Sequence, residues 1–363
     1  MRGYELRALT FHAGVVDAEG AELEAEVEGL ASKALEAVDS ISEERGVRPT
    51  YVRLVLPDAS VSDAPHLIAA AERAGKDVMI NAGQFRAGSL VPALEELLHA
   101  GVYLSIVLAS PSWEEARRAS EFIHAVASRD PTSATRVGVN VWGERVLTPY
   151  YPLASAIPGR EIVTVALTYP GLLLEAYYAE GLTGLAKAVR RAGSEALSFA
   201  EEVAQAAGYE LGGVDLSVSP WMEESTLALV EAISGVRMPR AGFTLGVRAV
   251  NEALASGGGG LKVVGFNEVM LPVAEDSKLK ARASEGELTA RYLAMLSGAC
   301  VAGLDMVPVP ASVNDVAGLI LDVASYSAAK RRPLGVRVIP VEGAEPGDKV
   351  DLGRFGEAPV VPI

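Results

Sequence analysis

The fold class is indicated by residues 102–142, VYLSIVLASPSWEEARRASEFIHAVASRDPTSATRVGVNVW. Two short runs rich in valine, leucine and isoleucine flank a longer segment of helical character. Such near-continuous apolar runs are typical of parallel strands that are covered on both faces of the sheet. Ser112 and Glu115 form a Ser-x-x-Glu capping box, which predicts where the helix begins. The stretch therefore predicts one strand–helix–strand unit.

The same unit recurs along the whole chain. Repeated β–α alternation predicts an α/β fold with a largely parallel sheet. Ten strands in one unbroken pattern favour a closed or wrapped sheet, and thus a single domain over residues 1–363. The weakest seam lies near residues 208–213 and divides the chain into halves of about 1–210 and 211–363. Further capping boxes are expected at Ser284/Glu287 and Ser312/Asp315. The predicted strands are residues 5–11, 52–56, 78–80, 102–108, 137–142, 162–167, 214–218, 262–264, 306–309 and 336–341.

Composition excludes several classes of protein. Of the 363 residues, 50% are hydrophobic, which excludes a disordered chain. A single cysteine, Cys300, excludes a disulfide scaffold. The formal net charge of −15 argues against nucleic-acid or anionic-membrane partners, because both require a basic surface. No apolar segment reaches the length of a membrane span, and the N-terminus lacks the apolar region of a secretion signal, so a cytoplasmic protein is expected.

Amide side chains are scarce. The chain has two glutamines and five asparagines. Depletion of asparagine, glutamine and cysteine is a trait of proteins that work at high temperature. The sequence therefore indicates a thermophilic protein, with codon bias in a GC-rich genome as the alternative.

Familiar cofactor and metal motifs are absent from the sequence. No G-x-G-x-x-G, Walker A or H-E-x-x-H pattern occurs, so no nucleotide cofactor is expected. The four histidines lack metal-ligand spacing. Only His12, at the end of the first predicted strand, is placed like an active-site residue, and the alternative is a structural histidine with satisfied hydrogen bonds.

Polar residues lie where the apolar strands end, and this is the main functional signal. Ligands of parallel α/β sheets bind at the carboxyl ends of the strands. A buried carboxylate is costly unless it is paired or bound to a cation. We therefore expect a shared site in which carboxylates act as general acids and bases or bind Mg²⁺ or Ca²⁺. The alternative is that each residue caps a helix or ties a loop. The candidate catalytic residues are Asp215, Glu275, Asp276 and Asp305, with Asp215, Glu275 and Asp276 as possible metal ligands. The candidate ligand-binding residues are His12, Asn81, Asn140, Tyr169, Ser217, Ser219, Asn267 and Glu268.

One long loop is a second candidate feature. Residues 143–160, GERVLTPYYPLASAIPGR, are rich in proline and aromatic residues. Long loops in compact domains are often lids or binding loops. The alternative is a surface segment that packs Tyr150 and Tyr151 against the sheet or a neighbouring subunit.

Several motifs in the C-terminal half resemble a known family. They are GGVDLSVSP (212–220), PVAEDSKL (272–279), GACVAGLDMVPVP (298–310), GVRVIPVEGAEPGDKVDLG (335–353) and EAPVVPI (357–363). Together they resemble an uncharacterised family related in fold to pyruvate formate-lyase. The N-terminal half fits more loosely, through Thr10-Phe11-His12, the NAGQF loop and the turn at Tyr169. The resemblance implies a ten-stranded α/β barrel of two five-stranded parallel halves set antiparallel, with no activity securely assigned. It also implies an ACT-domain protein as a partner, since many bacterial relatives are encoded beside one.

The resemblance does not extend to radical chemistry. Glycyl radical enzymes carry an Arg-Val-x-Gly-Tyr segment near the C-terminus, and DLGRFGEAPVVPI lacks it. Cys300 lies in an apparent helix instead of the lumenal loop that a thiyl radical requires. We therefore expect the barrel without the radical.

Two functions compete at this point. The first is an enzyme that acts on a small polar metabolite in the barrel lumen, with the 143–160 loop closing its mouth. The second is a non-catalytic protein that responds to an amino-acid-like effector. Broad apolar helical faces make a homo-oligomer the expected assembly.

Overall fold

The computed structural model describes residues 3–16 and 18–363. The strands are β1 (Glu5–His12), β2 (Tyr51–Val55), β3 (Val78–Arg86), β4 (Tyr103–Val107), β5 (Val137–Asn140), β6 (Ile162–Thr168), β7 (Glu210–Asp215), β8 (Asp305–Val309), β9 (Gly335–Pro340), β10 (Lys349–Asp351) and β11 (Glu357–Pro359). The helices are α1 (Ala21–Arg45), α2 (Ala64–Ala74), α3 (Pro92–His99), α4 (Trp113–Arg129), α5 (Pro131–Ala134), α6 (Pro170–Ala207), α7 (Thr226–Ser234), α8 (Phe243–Gly258), α9 (Ser277–Ser284), α10 (Ala290–Leu296) and α11 (Val313–Lys330). Within these residues no helix is both long and apolar enough to span a membrane.

The main sheet has nine strands in the order β7-β6-β1-β2-β3-β4-β5-β9-β8. Strands β1 to β5 are parallel to one another. Strand β6 pairs antiparallel with β1, and β9 pairs antiparallel with β5. Since β7 is parallel to β6 and β8 to β9, all four of these strands run against the first five. The sheet thus has a central block of five parallel strands, flanked at each end by a parallel pair that runs the opposite way.

Strand direction reverses at a different point of the chain from the expected seam. Strand direction changes between β5 and β6, across residues 141–161. The seam expected near residues 208–213 lies between α6 and β7, where the flanking strands β6 and β7 run in the same direction. The boundary between 1–210 and 211–363 therefore does not mark the change in strand direction, and the division into these halves stays a prediction.

The α/β class and the mostly parallel sheet are confirmed. Nine of the ten predicted strands lie in the main sheet, whereas residues 262–264 contribute only an isolated bridge, Val214–Val263. Beyond the edge strands, further parallel bridges join Val218 to Val269 and Met270 to Ala302.

Two of the three capping boxes are placed correctly. Ser112 caps α4, and Ser312 with Asp315 caps α11. The third is wrong, because Ser284 is the last residue of α9 and the next helix, α10, begins after a Thr289 cap instead.

The 143–160 loop packs inside the fold. Tyr150 and Tyr151 are buried, and the Tyr151 ring lies 5.1 Å from the Tyr103 ring of β4. Gly335 in β9 leaves room for the loop, since a Cβ there would lie 2.2 Å from a methyl carbon of Leu153. The packing alternative for Tyr150 and Tyr151 agrees with this position, and the same segment also bounds the cavity described next.

Candidate functional site

A central cavity lies between strands β1, β2, β4 and β9 and the inward-packed loop. It has about 720 Å³ of empty space, its open mouth included. Charged and polar residues form one part of the wall and apolar residues the other. The polar wall consists of Arg7, Arg53, Tyr103, Tyr150, Tyr151, Ser219, Glu275, Asp305, Arg337 and Arg354.

Four arginines dominate the polar wall. Arg7, Arg53 and Arg337 come from β1, β2 and β9, and each is less than a tenth exposed. Arg354 comes from the short turn between β10 and β11 and lies at the exposed mouth. Neighbouring side chains of a strand point to opposite faces of the sheet. In each of these three strands the apolar neighbours pack in the core, and the arginine points into the cavity.

Two of the arginines are neutralised by carboxylates. Glu275 is paired with Arg7, and its other oxygen accepts a hydrogen bond of 2.9 Å from Arg337. Asp305 accepts two hydrogen bonds from Arg337, at 2.7 Å and 3.0 Å. Burial alone would raise the pKa of Glu275, but the charges of Arg7 and Arg337 outweigh it and hold this pKa below its ordinary value. Glu275 is therefore a carboxylate at neutral pH.

Arg53 has no carboxylate partner among the described residues. One of its terminal nitrogens donates to the Pro149 carbonyl at 2.6 Å, and its Nε has no hydrogen-bond partner. The guanidinium stacks on Tyr51 and Tyr151, 5.4 Å and 4.9 Å from the ring centroids. Burial, followed by repulsion from Arg7, lowers the pKa of Arg53 to about 10. A buried cation in this state is stabilised when an anion enters beside it.

Arg354, like Arg53, contacts the Tyr51 ring. Its guanidinium is 5.0 Å from the Tyr51 ring centroid and 4.7 Å from that of Phe355. It donates a hydrogen bond of 3.2 Å to the Tyr103 hydroxyl. Within the described chain it has no carboxylate partner either, so the cavity carries an excess of positive charge.

Three of the predicted site residues line this cavity: Glu275, Asp305 and Ser219. Their catalytic and ligand-binding roles stay predictions. The other predicted residues lie elsewhere, as follows.

Asp215 ties the end of β7 to the following loops. The Thr148 hydroxyl donates to it at 3.0 Å and the Ser217 hydroxyl at 2.6 Å. The backbone N–H groups of Phe266 and Asn267 donate to it at 2.8 Å and 3.1 Å. Burial raises the pKa of Asp215 above its ordinary value. Its oxygens are occupied by these donors, which fits the loop-tying alternative.

Asp276 caps a helix. Its side chain accepts from the backbone N–H groups of Lys278 and Leu279 at the start of α9, at 2.9 Å and 3.2 Å. The same carboxyl accepts from the Ser225 hydroxyl at 2.7 Å and the Leu227 N–H at 3.1 Å. It therefore joins α9 to the start of α7.

The proposed metal set does not converge on one point. In residues 3–16 and 18–363, no group of three histidine, cysteine, aspartate or glutamate side chains could hold an ion. Asp215 and Asp276 bind backbone and hydroxyl donors, and Glu275 binds arginines. The three carboxylates serve three separate networks in the described chain, and the shared metal site stays a prediction.

The asparagines hold loops. Asn81 donates to the Pro152 carbonyl at 2.8 Å. Asn140 accepts a hydrogen bond of 2.9 Å from the backbone N–H two residues later. Asn267, in the left-handed region with a φ of 56°, accepts one of 2.9 Å from the Leu216 N–H. Each amide is thus engaged outside the cavity wall.

The remaining predicted ligand-binding residues are also engaged. His12 is buried with both ring nitrogens in hydrogen bonds. Tyr169 is buried and donates to the Leu216 carbonyl. Glu268 pairs with Lys330 at 2.7 Å, and its backbone N–H donates to the Ser217 hydroxyl at 3.2 Å.

Cys300 lies in a turn after α10, so its expected place in a helix is wrong. Its thiol donates to the Leu296 carbonyl at 3.1 Å. Burial raises the pKa of the thiol to about 12, which keeps it protonated at neutral pH.

The arginines were missed by the sequence analysis, although a signal existed. The stretches LRAL, VRLV and VRVI each place one arginine inside an apolar strand. A cation in such a place needs a partner as much as a carboxylate does.

Comparison with known proteins finds one matching family model and several similar proteins. Residues 89–353 match the family model described as Uncharacterised ACR (DUF711). A UPF0210 protein of Pyrobaculum arsenaticum is 30% identical over 377 residues, covering 92% of this chain and 83% of the relative. A UPF0210 protein of Pyrobaculum islandicum is 31% identical over 376 residues, covering 92% and 82%. Both organisms are thermophilic archaea. A UPF0210 protein of Leuconostoc mesenteroides is 29% identical over 216 residues, covering 56% and 48%.

Proposed function

The chain belongs to the DUF711 family, and we propose that it binds a small anionic metabolite in the central cavity. The observation that carries the proposal is the buried Arg53, whose charge has no carboxylate partner in the described chain. Arginine matches the planar geometry of carboxylate and phosphate groups, and burial strengthens the attraction.

We propose that the cavity is the lumen of the ten-stranded barrel implied by the resemblance to the pyruvate formate-lyase fold. The bridges from β7 to residues 262–270, and from there to Ala302, support closure of the sheet beyond its edge strands. Closure would enclose Arg7, Arg53 and Arg337 in one lumen.

As an enzyme, the protein would act on the bound anion with the groups beside it. Glu275 is ionised and is the candidate general base, and the Tyr103 hydroxyl is a candidate proton donor. Asp305 would orient Arg337, which contacts both carboxylates.

As a regulatory protein, the chain would bind the same anion without chemistry. The observation that favours this second function is that both cavity carboxylates are already held by arginines. An effector with a carboxylate, such as an amino acid, would complete the arginine cluster and transmit binding to a partner.

Thermal-shift measurements test the binding proposal. Small carboxylates and inorganic phosphate are compared with their uncharged amides and esters at constant ionic strength. We expect the anions to raise the melting temperature, because a ligand at a hundred times its Kd adds about 2.7 kcal/mol to stability. Arg53→Gln should lose this shift, whereas Arg291→Gln, exposed on α10, should keep it.

Equal shifts from anions and uncharged analogues would contradict the proposal. Each anion that binds is then incubated with the protein and followed by NMR. New resonances that depend on Glu275 support the enzyme, and unchanged ligand supports the regulatory protein.

A further inference from the structure

Two arginines of the cavity remain without carboxylate partners in the described chain, and they lie close together. Arg53 and Arg354 stack on the same ring, with guanidinium carbons 5.4 Å and 5.0 Å from the Tyr51 centroid. Arg7 and Arg337 are balanced by Glu275 and Asp305. We infer that the ligand of this cavity is a dianion, held between Arg53 and Arg354; this inference rests on the proposed anion-binding function.

Arg53 and Arg354 differ in how deeply they are buried. Arg53 is 5% exposed and its Nε is buried without a hydrogen-bond partner, whereas Arg354 is exposed at the mouth. A ligand that enters from the mouth therefore meets Arg354 first and Arg53 at the end of its path. Each arginine presents a planar set of N–H donors that suits one carboxylate or one pair of phosphate oxygens.

Tyr103 supplies a further donor. Because the Tyr103 oxygen accepts its hydrogen bond from Arg354, the hydroxyl hydrogen is free to point at the ligand. The Tyr103 ring also contacts Tyr151, which lies under Arg53. The Tyr103 hydroxyl thus lies beside Arg354, and the Tyr103 ring contacts the ring on which Arg53 stacks.

The apolar part of the wall limits what the body of the ligand can be. It is formed by Phe266, Met270, Val301 and Val336. These side chains offer no donors to a sugar ring or a polyol. The chemistry of the two walls fits a short hydrocarbon skeleton with two negative charges, as in a dicarboxylate or a simple phosphate monoester.

Isothermal titration calorimetry on the full chain tests the inference with four probes at constant ionic strength. Succinate and methyl phosphate are the dianions, and monomethyl succinate and acetate are the monoanions. We expect a dianion to bind roughly ten- to a hundredfold more tightly than the monoanions, the difference that one charged hydrogen-bonded pair provides.

Arg354→Gln tests the contribution of Arg354 apart from that of Arg53. The residue is exposed, so the substitution can be made without disturbing the core. The substitution should weaken binding of the dianion by roughly the same ten- to a hundredfold. It should change the affinity for the monoanions by no more than about twofold. Arg291→Gln should change neither.

Each outcome of these titrations supports or overturns the inference. Preference for succinate supports the inference with a dicarboxylate ligand, and preference for methyl phosphate supports it with a phosphate ligand. Monoanions that bind as tightly as dianions overturn the inference and leave the proposed function standing. A dianion preference that survives in Arg354→Gln overturns the two-arginine assignment. No binding by any of the four probes overturns both the inference and the proposed function.

Discussion

Buried arginines are the residues on which the site depends. Taking a charge out of water costs several kcal/mol unless another charge or several hydrogen bonds replace the lost hydration. Arg7 and Arg337 meet this requirement through Glu275, which lies between them. Arg53 meets it only in part, through one carbonyl and two aromatic rings. The difference separates the residues whose charges are paired from the residue on which the anion-binding proposal rests.

Removal of the Glu275 charge should destabilise the fold strongly. Glu275→Gln keeps the shape of the side chain but leaves two buried cations without their shared partner, so the free energy of unfolding should fall by about 3–5 kcal/mol. Urea denaturation measures the change. Glu252→Gln, which removes one partner of an exposed pair with Arg248 on α8, is the control and should change stability by less than about 1 kcal/mol. Similar small losses in both variants would show that the cavity network is well hydrated.

His12 should make stability depend on pH. Its Nδ1 is 2.9 Å from the Ser155 carbonyl and its Nε2 is 2.9 Å from the Thr164 hydroxyl, an arrangement that suits the neutral ring. Burial lowers its pKa to about 4. In the unfolded chain the pKa is about 6.5, so between these values only the unfolded chain takes up the proton.

The sign of the effect follows from this difference. Above pH 6.5 both states are neutral and the folded protein keeps its full stability. As the pH falls from 6.5 to 4, unfolding becomes easier by about 1.4 kcal/mol per pH unit on account of His12. Urea denaturation of the wild type and His12→Gln, from pH 7.5 to 4.5, should show stability differences that shrink toward acid pH. A constant difference would mean that the buried ring is protonated as easily as a free one.

At the scale of elements, the strands were more predictable than the loop of residues 143–160, which packs against them. Strands such as β1 and β6 are buried along nearly their whole length, so their apolar runs identify them directly. The path of residues 143–160 depends on space left by Gly138 and Gly335 in other strands, and no local pattern records that space. For the same reason the long-range partners of Asp215 and Asp276 were not predictable, since they come from segments about 50 to 67 residues away.

A methyl group at Gly335 should displace the loop. The three atoms nearest to a Cβ built there all belong to Leu153, at 2.2–3.2 Å. Gly335→Ala should therefore cost about 1–3 kcal/mol through overpacking. Leu153→Ala should cost about 2–5 kcal/mol through the cavity that it leaves. The double variant should be more stable than the sum of the two losses predicts, because the new methyl group occupies the vacated space.

Thermal or urea unfolding of the four proteins measures this coupling. Gly29→Ala is the matched control, since nothing lies within 4 Å of a Cβ at this position in α1. It should be neutral or add about 0.5–1 kcal/mol, because alanine suits a helix better than glycine. Additive losses at positions 153 and 335 would show that the loop does not pack on β9 as described.

At the scale of the whole molecule, the arrangement of strands explains why a cavity forms. The central strands β1 to β5 meet the pair β6–β7 antiparallel at β6–β1 and the pair β8–β9 antiparallel at β5–β9. Strands β7 and β8 are therefore left as the outer strands. The sequence predicted the α/β class, but strand order depends on pairings between distant segments such as β5 and β9. The arginines converge for the same reason, since Arg7 and Arg337 come from opposite ends of the chain.

Hydrogen exchange should show whether the outer strands are joined. Open edges would leave backbone donors unpaired and prone to association with other chains. Here the Val264 N–H donates to the Val214 carbonyl at 3.0 Å, and the Leu271 N–H donates to the Ala302 carbonyl at 2.8 Å. If these bonds close the barrel, both amides should exchange as slowly as those in the middle of β6, because exchange then requires the whole sheet to open. The amides of residues 342 and 343, exposed in the turn after β9, are the fast reference. Exchange of residues 262–271 at that fast rate would mean that the sheet stays open between β7 and β8, and the arginine cavity would then be a cleft and not a lumen.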